Sequence, residues 1–219
     1  MITTICNQSE AALTNPLRAK GSKMTTVSIL ILAAGASSRM RGRDKLMERI
    51  GTRPLLRRQV ERALATGLAV QVAVPALIHP RTAAFGDLPV GTVAVPDAAR
   101  GMSASLVRGV KACPEDNAIL ILPGDMPDLS TRDLEIVIEA FKENPERLYR
   151  GASDGTPGHP VLFPPDCRNA LLSCTGDKGA RDVVKANAHR TTLIPLPGEN
   201  ALTDLDTPEA WDAWRNKQS

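Results

Sequence analysis

Aromatic side chains are scarce in this chain: three Phe, two Trp and one Tyr among 219 residues. No aromatic ladder can stack bases, and Lys plus Arg exceed Asp plus Glu by only three charges, 27 against 24. With no broad basic face either, the composition excludes nucleic acid as a partner. No apolar run approaches the roughly 20 residues that cross a bilayer, and the first residues lack the apolar stretch of a secretory signal, which excludes a membrane partner. The four cysteines, Cys6, Cys113, Cys167 and Cys174, show no CxxC spacing. They read as reduced thiols of a cytoplasmic protein, not as a zinc site or a disulfide framework. Two common phosphate signatures are also missing, the GxxxxGK loop followed by Ser or Thr and the GxGxxG fingerprint.

What is present is a chain long enough for a full three-layer core. Residues 1–23 have no strong period, and Met24 stands just before the first strand. Residues 1–23 are expected to be a disordered extension, or upstream sequence read through from a misassigned start; residues 24–219 form one domain. The organising stretch runs from Val27 to Lys45, VSILILAAGASSRMRGRDK. Of Val27 to Leu32 only Ser28 is not a large apolar residue, which suits a strand buried on both faces of a parallel sheet. The small residues from Ala33 to Ser38 follow, so backbone N–H groups can approach a ligand, and anions are the usual ligand of such a loop. Then Arg39, Arg41, Arg43 and Lys45 place four cations within seven residues. Bare donors followed by a cationic arm suit a polyphosphate; the plainer account is a buried strand with a solvated basic loop.

The rest of the chain alternates strand and helix. Helix 54–66 carries Leu55, Leu56, Val60, Ala63 and Leu64 on one face. Strands are expected at 68–74, 92–95, 118–122, 148–151 and 191–195, and helices at 75–85, 131–141 and 175–188. This alternation predicts an α/β sheet of mostly parallel strands, whose ligands gather beyond the carboxyl ends. Within 97–110 Ser103 is a candidate helix cap with Ser105 in the first turn; both hydroxyls could instead contact a nucleoside. Strand 118–122 ends in Pro123 and Gly124 and delivers Asp125, a carboxylate that needs a cation or a helix amino end as partner. Asp128 or Ser130 caps the next helix. Residues 154–158 form a dense turn before His159. Thr207 caps a last helix that begins at Pro208 and docks through Trp211 and Trp214.

The loop Leu32-Ala33-Ala34-Gly35, then Arg39-Met40, then Asp44-Lys45 resembles the signature loop of the nucleoside triphosphate transferases of the molybdenum-cofactor type. GMSASL at 101–106, GDMP at 124–127, GHPVLF at 158–163, GDKGAR at 176–181 and the Asp-Thr-Pro-Glu run at 206–209 are similar to segments of the same family in the same order. The resemblance implies a three-layer α/β/α Rossmann-like nucleotidyltransferase fold and transfer of a nucleoside monophosphate, with pyrophosphate released. It implies that Leu32, Ala33, Ala34, Gly35, Arg39, Lys45, Ser103 and Ser105 bind the nucleotide. Arg39, Lys45 and Asp125 would carry catalysis, and Asp125 and Asp206 would hold magnesium, with Asp204 as the fallback. His159, Lys178 and Arg181 would face the acceptor. Family members with AAG at this loop are the cytidylyl transferases, which makes CTP the expected donor; the methyl of Ala34 would narrow the slot beside the base. The acceptor would be a phosphorylated pterin, with a molybdenum hydroxylase apoprotein as a further partner. Two alternatives stay open: a sugar- or polyol-phosphate nucleotidyltransferase, and a non-catalytic cofactor-insertion chaperone.

Overall fold

The computed structural model of the protein describes residues 25–218; the expected extension at 1–23 lies outside them. In chain order the elements are strand β1 (Val27–Leu32), the short strands β2 (Arg49–Ile50) and β3 (Arg53–Pro54), helix α1 (Leu55–Leu64), β4 (Ala69–Val74), α2 (Pro80–Ala83), β5 (Gly91–Ala94), α3 (Met102–Ala112), β6 (Ala118–Pro123), α4 (Thr131–Glu143), β7 (Leu148–Ser153), β8 (Thr156–Phe163), α5 (Arg168–Leu172), α6 (Arg181–Ala186), β9 (Thr191–Pro195) and α7 (Pro208–Gln218).

Seven strands make one sheet in the order β5-β4-β1-β6-β8-β7-β9. β5, β4, β1 and β6 run parallel, β8 is antiparallel to both neighbours, and β9 is parallel to β7. The mostly parallel α/β sheet expected from the sequence is therefore the one that forms, with a single reversed strand. β1 lies inside it, with Ile29 opposite Val70 on one side and Leu120 on the other. Its apolar residues are buried on both faces, as a central parallel strand requires. The polar exception, Ser28, is fully buried and accepts a hydrogen bond from Asn117 Nδ2 at 2.8 Å. One core cluster gathers α1, α4 and α7 through Leu55, Val60, Phe141 and Trp211. The other gathers α3, α5 and α6 through Leu106, Val110, Leu171 and Val183. These clusters are the two helical layers over the sheet.

Several local expectations are corrected. Ser130 caps α4 in a reciprocal box: its Oγ accepts the Asp133 N–H at 3.2 Å, and Asp133 Oδ2 accepts the Ser130 N–H at 2.8 Å. Asp128 is not the cap; it accepts from Trp214 Nε1 at 2.8 Å. Ser103 is not a cap either, because α3 starts at Met102 behind Gly101, whose φ of 109° is closed to other residues. The dense turn at 154–158 shrinks to Asp154 and Gly155, and Pro157 to Pro160 already belong to β8. The helices expected at 75–85 and 175–188 shorten to α2 and α6, the latter preceded by a separate turn at Gly176–Lys178. At the carboxyl end Thr207 Oγ1 accepts the Ala210 N–H at 3.1 Å, and Trp211 is buried with Trp214 edge-on to it at 6.0 Å, as expected.

Candidate active site

Three strand ends are laced together where the sequence placed the ligand loop. Ala33 N–H donates to Ala73 O at 2.8 Å, and Gly124 N–H donates to Leu32 O at 3.0 Å. Beyond β1 the loop changes character residue by residue. Ala33 and Ala34 are buried, Gly35 and Ala36 are exposed, and Ser37 turns the chain in the left-handed region at φ 53°. Met40, fully buried, anchors the far side. Ala34 belongs to the same buried cluster as Leu30, Ala73 and Val95. Its methyl therefore packs into the core, which corrects the expectation that it walls the slot beside a base.

Each of the four cations of the loop has a carboxylate partner, although Arg39, Arg41 and Arg43 stay exposed and only Lys45 is largely buried. Arg39 pairs with Asp206, Arg41 with Glu209 at 2.6 Å and Arg43 with Glu48 at 3.3 Å. Lys45 Nζ lies between Asp125 Oδ2 and Asp206 Oδ1 and donates to both. Lys45, Asp125 and Asp206 keep only 15–17% of their side-chain surface, whereas Arg39 keeps 68%. Burial presses on the Lys45 ammonium, and the two carboxylates outweigh it, so its pKa lies above the ordinary value. Asp125 arrives from the end of β6 and Asp206 from the segment before α7; the Leu205 N–H to Asp125 O bond of 3.2 Å ties these two chain pieces together. Asp204 stands nearby without touching Lys45. Burial first, then Asp206 and Asp125, raise its pKa.

On the acceptor side the expected residues are only partly gathered. His159 sits on β8 with its N–H on Ala201 O at 2.9 Å, while its buried Nδ1 has no hydrogen-bond partner among the described residues. Burial, followed by the charge of Arg150, pushes its pKa down to about 4; Asp125 and Arg181 also act on it. Arg181 opens α6 and makes no hydrogen bond or ion pair among the described residues. Lys178 stands apart, exposed, with Asp182 at 3.9 Å. Ser103 and Ser105 are buried, and Ser103 Oγ has no partner among the described residues. Ser103 nonetheless stands at the start of α3, where with Arg100, Arg108 and Thr175 it lines a pocket of about 350 Å³.

One organiser escaped the sequence. Arg81, on the short α2 and 3% exposed, spends all of its side-chain donors on the loop. Nε and Nη2 grip Asp44 at 2.7 and 2.8 Å, Nη1 takes the carbonyls of Ala33 and Gly35 at 2.6 and 2.7 Å, and Nη2 reaches Ser37 Oγ at 3.0 Å. Asp44 also accepts the Leu46 N–H at 3.0 Å, which fixes the turn that delivers Lys45. Asp44 was visible inside the quoted loop without a role; Arg81, in the unremarkable run HPRTAAF, gave no signal.

A family model described as the MobA-like NTP transferase domain matches residues 29–191. The chain belongs to the MobA-like NTP transferase family. Its class of enzyme is thereby that of a nucleotidyltransferase. Bifunctional protein GlmU of Alkalilimnicola ehrlichii is 30% identical over 118 residues, 51% of this chain, and the match spans only 24% of that relative. Rv0371c from Mycobacterium tuberculosis superposes with a TM-score of 0.73 at 22% identity, covering 90% of this chain and 100% of that one. Its complex with manganese superposes at 0.69. CMP:2-keto-3-deoxy-manno-octonic acid synthetase complexed with CTP superposes at 0.67 with 16% identity, covering 89% and 97%. At such identities the superpositions speak for the fold. In this MobA-like chain no described helix is long and apolar enough to cross a membrane.

Proposed function

We propose that the protein transfers CMP from CTP to the phosphate of molybdopterin. An acceptor phosphate oxygen bonds to the α-phosphorus of the triphosphate, the bond from that phosphorus to the bridging oxygen breaks, and pyrophosphate leaves with the electron pair. The observation that carries this reading is the clasp of Lys45 by Asp125 and Asp206, with Arg39 on the same Asp206. Cations and carboxylates meet there at the carboxyl ends of β1 and β6, where ligands of such sheets bind.

The donor set suits magnesium, because Asp125 and Asp206 turn hard carboxylate oxygens toward one cation, and magnesium takes one or two carboxylates plus phosphate oxygens. Among the described residues no group of three or more His, Cys, Asp or Glu could hold a metal, so phosphate oxygens would complete the shell. When bound, the ion would supply charge neutralisation at the α-phosphate. A manganese complex of the mycobacterial neighbour supports use of a divalent ion. Arg39 and Lys45 take the charge of the leaving pyrophosphate, and the N–H groups of Ala34 and Gly35 face the triphosphate, since the Ala33 N–H is held by Ala73 O. The acceptor phosphate has a second pKa near about 6 and is mostly dianionic at neutral pH, so no base is needed. A His159 pushed down to about 4 agrees, since it holds no proton at neutral pH and pulls weakly on another. His159, Lys178 and Arg181 orient the acceptor, and catalysis is positioning plus charge neutralisation.

CTP as donor rests on the AAG loop, with support from the CTP complex of the synthetase neighbour. The pterin acceptor, and delivery to a molybdenum hydroxylase, rest on the resemblance of the loop and of the GHPVLF and GDKGAR segments. A further structural neighbour, 4-diphosphocytidyl-2C-methyl-D-erythritol synthase from Anaerococcus prevotii, favours a second reading, a sugar- or polyol-phosphate acceptor. One experiment covers both. The protein is incubated with magnesium, equal CTP and GTP, and either molybdopterin or a set of sugar phosphates; pyrophosphate and product masses are read. Cytidylylated molybdopterin is expected. A guanylyl product refutes the donor, a sugar nucleotide refutes the acceptor, and no pyrophosphate at all returns the chaperone alternative.

A further inference from the structure

On the face that carries α1, α4 and α7, a pocket of about 600 Å³ opens between the β2–β3 turn, α1, the segment after Asp125 and the end of α7. None of the transfer residues named above lines it. Its volume lies in the range of small-molecule sites, about 300–1,000 Å³. The lining, however, is charged and of one sign: Arg49, Arg58, Arg62 and Arg215 face it, against the single carboxylate of Asp128.

The pairing of these groups is uneven. Asp128 is engaged by Trp214 Nε1 at 2.8 Å, and Arg215 holds Glu48 at 2.7 Å. Arg49 donates to the Thr52 carbonyl at 2.8 Å. Arg58, half-buried, makes no hydrogen bond or ion pair among the described residues. Half-buried Arg62 gives Nη1 to the carbonyls of Pro127 and Leu129 at 2.6 and 2.7 Å and has no bonded carboxylate among the described residues. Burial, then the like charge of Arg58, lowers the Arg62 pKa, and Asp128 and Asp133 only partly offset this. Guanidiniums placed side by side in partial burial repel each other and are poorly solvated, a cost that a bound anion removes.

We propose that this pocket is a second ligand site that binds a phosphate-bearing small molecule. Guanidinium forks match phosphate oxygens two at a time, and three of the four arginines have no carboxylate of their own among the described residues. The site is separate from the transfer centre but mechanically next to it. Arg62 grips the backbone at 127 and 129, two and four residues beyond Asp125, and Gln59 Nε2 donates to Met126 O between them.

The chain has two tryptophans, so a nitrogen-labelled sample gives two indole N–H signals. Trp214 lines the pocket, whereas Trp211 is buried behind it, against Trp214 and Arg215, and is not itself part of the lining. A Trp214→Phe variant assigns the signals. The full chain without metal is titrated with inorganic phosphate, pyrophosphate and CMP, arms that separate free phosphate from a nucleotide source. The expected result is a saturable shift of the Trp214 indole with at least one probe, retained in Lys45→Ala. Arg58→Ala removes no bond of the folded chain and weakens that response by at least about tenfold, the weight of one charge-assisted contact. An unmoved Trp214 signal with all three probes, or equal affinities in wild type and Arg58→Ala, overturns the proposal. Loss of the shift in Lys45→Ala overturns its separateness. A shift with polyglutamate and none with the phosphate probes overturns it in favour of a protein-docking surface.

Discussion

Arg81→Met removes a guanidinium that makes five hydrogen bonds to the nucleotide loop and replaces it with a side chain of similar reach and no donors. Asp44 is left partly buried without its cation, and the carbonyls of Ala33 and Gly35 lose their shared donor. Breaking one side of a buried pair costs about 3–5 kcal/mol. The Asp44 side chain keeps 27% exposure, so water returns to it; the low end, about 3 kcal/mol, is the expected loss. For a domain of this size that is a fall in Tm of roughly 6–12 °C. Below that temperature triphosphate binding weakens as well, by about tenfold or more, because ligand must now order loop residues at about 1–2 kcal/mol each. Arg81→Lys restores the charge but not the fork and recovers only part of both losses. The acid limb supplies a control. Burial raises the Asp44 pKa, but Arg81 outweighs it and the folded value is depressed. Its contribution is therefore full above the unfolded value of about 3.9 and fades as pH falls through the lower folded value. The gap in Tm between wild type and Arg81→Met should be constant from pH 5 to 8, on the order of the loss above, and narrow below about pH 3.9 without vanishing, because the bonds to Ala33, Gly35 and Ser37 do not titrate. Thermal unfolding across pH and calorimetric titration with CTP measure both effects. A Tm within about 2 °C of wild type together with unchanged CTP affinity would refute the assignment of Arg81 as the loop organiser.

Lys45→Ala should weaken CTP binding and turnover by roughly tenfold to hundredfold, the weight of a desolvated charge-assisted contact, as steady-state kinetics would show. Asp125→Ala and Asp206→Ala should each abolish pyrophosphate release while circular dichroism stays native; full activity in Asp125→Ala sinks the metal assignment. Asp204→Ala should keep more activity than Asp206→Ala, because only Asp206 touches Lys45; the reverse order exchanges their roles. Ser130→Ala should lower stability by about 1 kcal/mol, or about 2–4 °C in Tm, through loss of the α4 capping box, with kinetics unchanged.

The strands that frame the site could be read from residues alone because their signal is local. β6 and, apart from Ser28, β1 are apolar runs, and α1 repeats its apolar residues at helical spacing. Arg39, Lys45, Asp125 and Asp206 were singled out by motif, and the fold does bring these four together. Arg81 could not be found that way. Its acceptors at Ala33 and Gly35 lie 48 and 46 residues earlier, so its role exists only after β4 pairs with β1. The Ser103 hydroxyl misled because a serine at the second position of a helix looks the same in sequence as one at its cap, two residues earlier. The run at 154–158 reads as a turn for its two glycines and its proline, yet Thr156, Pro157 and Gly158 already belong to β8. Gly158 is there for another reason: a Cβ would lie 1.9 Å from the Ala201 carbonyl oxygen, so the backbones touch inside a strand.

The reversal of β8 sets how this enzyme can diversify. Every parallel strand offers the cleft its exit, whereas β8 offers its entrance, and His159 lies near that entrance. The two halves of the sheet meet along the β6–β8 seam: Ile119, Leu120 and Ile121 against Phe163, Leu162 and Val161. Residues assigned above to the donor hang from one side of the seam, and those assigned to the acceptor hang largely from the other. The β7–β8 hairpin closes on two turn residues, Asp154 and Gly155, of which Gly155 has open space around it. Insertions at that hairpin would reshape the acceptor wall without disturbing the Arg81–Asp44 lock. On the proposed assignment, a lineage built on this frame can trade one acceptor for another while the loop held by Arg81 is inherited intact.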